Sequence, residues 1–299
     1  MTAADAATEF DFQGQRCVQI DLPQGDRAVI SLYGAQVLSW QTPDGHERFY
    51  LSPRAIMDGS SAIRGGVPVC FPQFNQRILA GLDSRVGLDL PKHGFVRNQI
   101  WSVGSVQQSS LQAQARFELA DNESTRAIWP HRFNAALTVH LTPGCLRITI
   151  EVANPGPVPW PFAVALHSYF AVADIALTTV SGLAGHNFWD GVKNPERPAL
   201  RDVQPAGLLT FDGETDRVYE NVNEPLELVS GTARLRITQS ATLPEAVVWN
   251  PGARLCATLK DLPSNGWKSM VCVEAACINT PQLLMTGETW TGWQQLEVA

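Results

Sequence analysis

Asn134–Asn154 reads NAALTVHLTPGCLRITIEVAN, with apolar and polar residues alternating on both sides of a Pro-Gly pair. Leu137, Val139 and Leu141 share one face, and Leu146, Ile148, Ile150 and Val152 resume the alternation after Pro143-Gly144. A period of two sends successive side chains to opposite faces of a strand, so the segment reads as a β-hairpin. The same alternation recurs toward the N-terminus in CVQIDL (17–22), RAVISLYGAQVLSWQ (27–41), WSVGSV (101–106) and LQAQARFEL (111–119). Toward the C-terminus it recurs in FAVALHSYF (162–170), ARLRITQS (233–240), EAVVWNPG (245–252), KSMVCVEAACI (268–278) and WTGWQQLEVA (290–299). Only DNESTRAIWPHRF (121–133) suggests a helical turn.

Short strands throughout, with almost no amphipathic helix, predict an all-β chain. The expected architecture is one large antiparallel β-sandwich, a single domain over residues 1–299. Residues 1–16 form a leader or the first edge strand. No repeat, low-complexity tract or linker-like break in composition interrupts it.

Composition narrows the function. A net charge of −7 and a pI of 5.4 give no basic field for phosphate-backbone contacts, so no nucleic-acid partner is expected. The six cysteines form no CxxC pair and sit in apolar runs, as reduced core thiols do. No signal-like N-terminus and no run of about 18 apolar residues occurs. A soluble cytoplasmic protein without a membrane partner, acting as a monomer, is expected. Rossmann, P-loop, HExxH and GxSxG patterns are absent.

The candidate chemistry lies in a few places. The irregular stretch Ile56–Trp101 carries Arg64 in IRGG, Gln73 in CFPQF, His93 in KHGF and Arg97 in HGFVR. A loop of that length in a compact chain is more often functional than idle, and glycines 65, 66 and 94 let backbone approach a ligand. His167 shares its strand face with the small Ala163 and Ala165, leaving space before it. Glu274 shares a face with Met270, Cys272 and Ala276, and a carboxylate in so apolar a strand is shifted toward the neutral acid. Two histidines and a carboxylate without an apparent nucleophile fit general acid–base catalysis. Zinc accepts these ligand types, but their separations match no compact metal motif, so no metal is expected. Trp249 in VVWNPG and Trp267 in SNGWKS are candidate platforms for sugar faces. The run ETDRVYEN (214–221), by pattern alone, reads as a solvated charge cluster.

Six segments in order, IRGGVPVCFPQF, PKHGFVRNQIW, LHSYFAV, ETDRVY, VVWNPG and VCVEAA, resemble the aldose 1-epimerase superfamily, specifically its hexose-6-phosphate mutarotase branch. The resemblance runs from about Cys17 to the end. It implies a supersandwich of antiparallel strands that needs no cofactor and interconverts the α and β anomers of a hexose 6-phosphate, glucose 6-phosphate first. It makes His167 the general acid toward the ring oxygen, Glu274 the general base toward the C1 hydroxyl, and His93 the group that orients the ring. Arg64 and Arg97 would cradle the phosphate, and Asp216, with Asp190 as competitor, would hold hydroxyls. Gln73 is either a sugar contact or loop packing. A mutarotase of neutral aldoses such as galactose, or a non-catalytic sugar-phosphate-binding protein, remains the alternative.

Overall fold

The computed structural model describes residues 9–76, 90–196 and 199–299. The first half of the expected leader and residues 77–89 of the long loop lie outside the described residues. The alternating segments are strands, and they form three sheets rather than one sandwich alone.

The first sheet is a meander of β1 (Glu9–Phe12), β2 (Gln15–Asp21), β3 (Arg27–Ser31) and β4 (Val37–Gln41), in that order. Part of the expected leader is therefore an edge strand, Glu9–Phe12 paired antiparallel with β2. After the short β5 (Val69–Cys70) come β6 (Ser102–Gln108), β7 (Ala113–Ala120), β8 (Asn134–Thr142) and β9 (Cys145–Ala153). The hairpin of the opening stretch is β8–β9, in register from Asn134↔Ala153 to Thr142↔Cys145. Between β7 and β8 the one helical turn is α1 (Glu123–Ile128), where Asn122 and Thr125 exchange side-chain and backbone hydrogen bonds as a capping box.

The chain continues through β10 (Trp160–Leu166), β11 (Tyr169–Ala171), β12 (Thr178–Ser181), β13 (Asn187–Asp190), β14 (Asp202–Val203) and β15 (Thr215–Tyr219). It ends with β16 (Leu226–Ser230), β17 (Ala233–Gln239), β18 (Glu245–Asn250), a short α2 (Gly252–Cys256), the long β19 (Met270–Leu284) and β20 (Thr289–Val298). One large sheet runs β14-β13-β15-β18-β19-β10-β5, with β11 also on β19; the other runs β12-β16-β17-β20-β9-β8-β7-β6. The two face each other across one apolar core. Leu137, Val139, Ile148 and Ile150 come from one sheet, and Phe162, Val164, Leu166, Val271, Val273 and Ala275 from the other. Alternation fixes the consequence: the opposite face of β10 and β19 carries Ala163, Ala165, Cys272, Glu274 and Ala276, away from that core. The run ETDRVY is not a solvated cluster, because it is mostly β15, an interior strand of this sheet with Tyr219 fully buried. No helix among the described residues is long and apolar enough to cross a membrane.

Candidate functional site

The site is a product of register. Across β10–β11 and β19 the pairs Leu166↔Ala275 and Tyr169↔Cys272 bring His167 opposite Glu274. Across β18 and β15 the rows continue, Glu274 to Val247 to Val218, and Cys272 to Trp249 to Asp216. Residues directly opposite in an antiparallel sheet share a face, so two adjacent rows place His167, Glu274, Trp249 and Asp216 on one surface. His167 Nδ1 lies 3.3 Å from Glu274 Oε1. The Tyr169 ring stacks on the His167 ring at 4.7 Å and 8°, and Trp249 meets it edge-on at 6.2 Å.

This surface floors a cavity of about 180 Å³, lined by Arg64, Asn75, Lys92, His93, His167, Glu214, Asp216, Trp249 and Glu274, with Phe74, Val247, Leu255 and Leu259 as its apolar wall. A larger trough of about 580 Å³ crosses the outer face of β6–β9. Its cation, Arg116, is already paired with Glu118 and Glu151, and no histidine lines it. The smaller cavity holds His93, His167 and Glu274, the residues expected from the sequence to carry the acid–base chemistry.

Behind the floor, Gln294 of β20 ties the two sheets together. Ser168 Oγ donates to Gln294 Oε1 at 2.5 Å, and Gln294 Nε2 donates to the Val273 carbonyl at 3.0 Å. These anchor the backbone next to His167 and next to Glu274. A buried amide in an apolar core is tolerated because both ends are bonded.

His93 enters from the long loop with a positive φ of 65°, a conformation held by the loop around it. Its backbone N–H donates to the Asn75 carbonyl at 2.9 Å, and its Nδ1 accepts from the Asn75 N–H at 3.3 Å. A neutral imidazole accepting at Nδ1 carries its proton on Nε2. Gly94 is obligatory here: at φ 70°, a Cβ would sit 1.9 Å from the Phe71 carbonyl oxygen. Gly66 has the same reason in IRGG, with Val37 O at 2.0 Å.

Arg64 is partnered: Nε and Nη2 donate to Asp261 at 3.0 and 3.3 Å, and Nη1 donates to the Tyr169 hydroxyl at 3.0 Å. A guanidinium has five N–H donors, so two are left for a ligand. Arg97 does not line the cavity; its Nη2 donates to the Lys92 carbonyl at 2.8 Å, which makes Lys92 the cation presented there. Gln73 is buried and does not line the cavity; its Nε2 shares its two hydrogens among the Asn75, Leu90 and Pro91 carbonyls. Asp190 also lies apart, its Oδ1 accepting from the Val192 and Lys193 backbone, because it pairs with Arg217 and so faces away from Asp216. Trp267 packs against the core instead of lining the cavity. Sequence reasoning missed Lys92, Glu214 and Asp261. Glu214, two residues before Asp216, follows from the strand period; nothing in the sequence marks Asp261.

Burial sets the proton affinities. It drives Glu274 well above its ordinary 4.5, aided by the Asp216 charge and opposed by Arg97. Burial, then Arg97 and Arg64, drives His167 well below 6.5; burial, then His167 and the nearby cations, keeps His93 neutral. Linkage gives each shift a sign. The raised Glu274 contributes stability that is full below pH 4.5 and lost as pH rises toward its folded value. The lowered His167 contributes stability that is full above pH 6.5 and lost as pH falls. Glu274→Gln removes only the first effect. The variant's Tm is therefore expected to exceed the parent's by a margin that opens above pH 4.5, at no more than about 1.4 kcal/mol per pH unit. A margin independent of pH in thermal melts would contradict this.

A family model described as aldose 1-epimerase matches residues 16–297. That match, over nearly the whole of the chain, makes it a sugar epimerase of the mutarotase class. The chain belongs to the aldose 1-epimerase family. Two relatives provisionally named glucose-6-phosphate 1-epimerase are similar to it. The one from Escherichia coli (strain K12) is 36% identical over 267 residues, 89% of this chain and 84% of that one. The one from Cenchrus ciliaris is 33% identical over 274 residues, 89% and 79%. A crystal structure of a provisionally named mutarotase from Salmonella typhimurium superposes with a TM-score of 0.86 at 31% identity, covering 98% of this chain and 93% of that one.

Proposed function

We propose that the protein interconverts the α and β anomers of a hexose 6-phosphate, with D-glucose 6-phosphate as the first substrate to test. The observation that carries the reading is His167 opposite Glu274 at 3.3 Å, flooring a cavity into which Arg64 and Lys92 also project. Protonated His167 gives its proton to the ring oxygen as the C1–ring-oxygen bond breaks. The C1 hydroxyl proton passes to the Glu274 carboxylate, and C1 becomes an aldehyde carbon. Rotation about C1–C2 presents the other carbonyl face, and the reverse transfers close the ring. One proton is thus shared by the pair throughout. With the cyclic sugar it sits on His167, and with the open chain on Glu274, the uncharged arrangement that burial favours. His93 offers its Nε2–H to sugar oxygen, Trp249 an apolar face, and Asp216 with Glu214 acceptors for hydroxyls. The phosphate lies beside Arg64 and Lys92, with Arg97 behind, within reach of charge-assisted hydrogen bonds.

A mutarotase of neutral aldoses is the second reading. The Arg64–Asp261 bridge favours it, because that guanidinium is already half engaged. Exchange NMR on glucose 6-phosphate and on free glucose and galactose separates the two. Faster anomer exchange with the phosphosugar at equal protein concentration is expected. Faster exchange with free sugar would select the second reading, and no acceleration with any of them would overturn both.

A further inference from the structure

We propose that His167, Cys272 and Glu274 form a site for a single thiophilic divalent cation, with zinc as its type, whose binding excludes the sugar. Cys272 precedes Glu274 by two residues on β19 and so shares its face, while His167 approaches Glu274 from the link between β10 and β11. Their ligand atoms, the His167 ring nitrogen, Cys272 Sγ and a Glu274 carboxylate oxygen, lie within 4.8 Å of one another. Among the described residues no other three His, Cys, Asp or Glu side chains converge in this way.

The second observation is independent of spacing. His167 Nδ1 and Glu274 Oε2 are buried and have no hydrogen-bond partner, in residues only 7% and 1% exposed. The 3.3 Å approach between the two side chains is not aligned as a hydrogen bond. Buried polar atoms are normally satisfied, and orphaned ones call for an explanation. Proton transfer accounts for the histidine and the carboxylate, but it has no use for a thiol beside them.

The donor set selects the cation. One nitrogen, one sulfur and one oxygen suit zinc and its soft neighbours, whereas calcium and magnesium require oxygen shells. Tetrahedral zinc holds its nitrogen and sulfur ligands roughly 3.5 Å apart, so rotamer adjustments of about 1 Å close the cluster. The thiol proton and the one proton held by the His167–Glu274 pair both leave to solvent as the bonds to the metal form, and the fourth position opens on the cavity. The cation then occupies the lone pairs that would move protons. Inhibition rests on the mutarotase reading; binding does not.

The test uses chelator-stripped, reduced protein, with cadmium as the optical probe and zinc as the inhibitor. The parent is expected to develop a one-to-one thiolate-to-cadmium charge-transfer band. The band disappears in Cys272→Ala and persists in Cys256→Ala, a buried thiol of the same apolar cluster. Zinc is expected to suppress anomer exchange reversibly with EDTA, at a half-inhibitory concentration at least tenfold higher in Cys272→Ala. If Cys272→Ala does not fold, His167→Gln serves, with cadmium affinity expected to fall at least tenfold. A band retained without Cys272, affinity indifferent to His167, or equal zinc sensitivity in Cys272→Ala overturns the proposal. Cadmium binding by a parent that exchanges no anomers overturns the mutarotase reading and leaves the site standing. Rapid exchange without any band does the reverse.

Discussion

Replacing Glu274 by glutamine is expected to slow anomer exchange by about 10²- to 10⁴-fold, the usual contribution of a positioned proton-transfer group. Glutamine keeps the volume and one acceptor oxygen but cannot take the C1 hydroxyl proton. His167→Gln is expected to cost a similar factor, since the amide cannot protonate the ring oxygen. The double variant is expected to be little slower than either single one, because the two groups pass one proton and act as a unit. Fold is not the confounder: the apolar faces of β10 and β19 are untouched, and Glu274→Gln gains stability at alkaline pH. Exchange NMR on the three variants, with thermal melts alongside, decides the matter. Near-parent exchange in either single variant would remove that residue from its role.

The second large effect concerns specificity. Arg64→Ala is expected to raise KM for the phosphosugar roughly 10- to 100-fold, the worth of a charge-assisted hydrogen bond of about 1.5–3 kcal/mol. The KM for a neutral aldose should hardly change. Losing the guanidinium also leaves the Asp261 carboxylate without its Arg64 partner, an added negative charge near the phosphate. Asp261→Asn removes that competitor for Arg64 and is expected to lower KM for the phosphosugar while sparing the neutral sugar. Lys92→Ala, with its flexible and exposed side chain, should have the smaller effect. Equal changes for both substrates in steady-state kinetics would place the anionic group elsewhere.

The fold was legible because alternation is a local property. A strand such as β8 or β9, of nine residues each around Pro143-Gly144, announces its inward face by itself. That His167 and Glu274 stand out was legible for a related reason: a histidine beside small residues and a glutamate among apolar ones are anomalies that the strand period assigns to a face. What joins them is register, which is non-local, and the sequence carries no mark that Leu166 stands opposite Ala275. The third sheet escaped because β1–β4 have the same period as the sandwich strands, and partner choice lies in their packing. Gln73 shows where a local reading stays open. Between Pro72 and Phe74 a glutamine reads equally as a ligand or as a brace, and only the positions of three backbone carbonyls decide for the brace. Lys92 and Asp261 were invisible because their roles depend on where loops end, which no periodicity encodes.

The register that builds the site also dates it along the folding pathway. His167 and Glu274 come from strands more than a hundred residues apart in the chain, and nearest-neighbour hairpins such as β8–β9 form without bringing them together. Contacts of such high sequence separation form late, because the loop between them must be closed first. Recovered activity during refolding is thus a clock for the closure of β19 against β10 and β11, separate from the burial of tryptophan in the hairpins. On the proposed mechanism, the same separation gives a partly folded chain no competent pair of proton carriers, so catalysis would belong only to the fully assembled sheet.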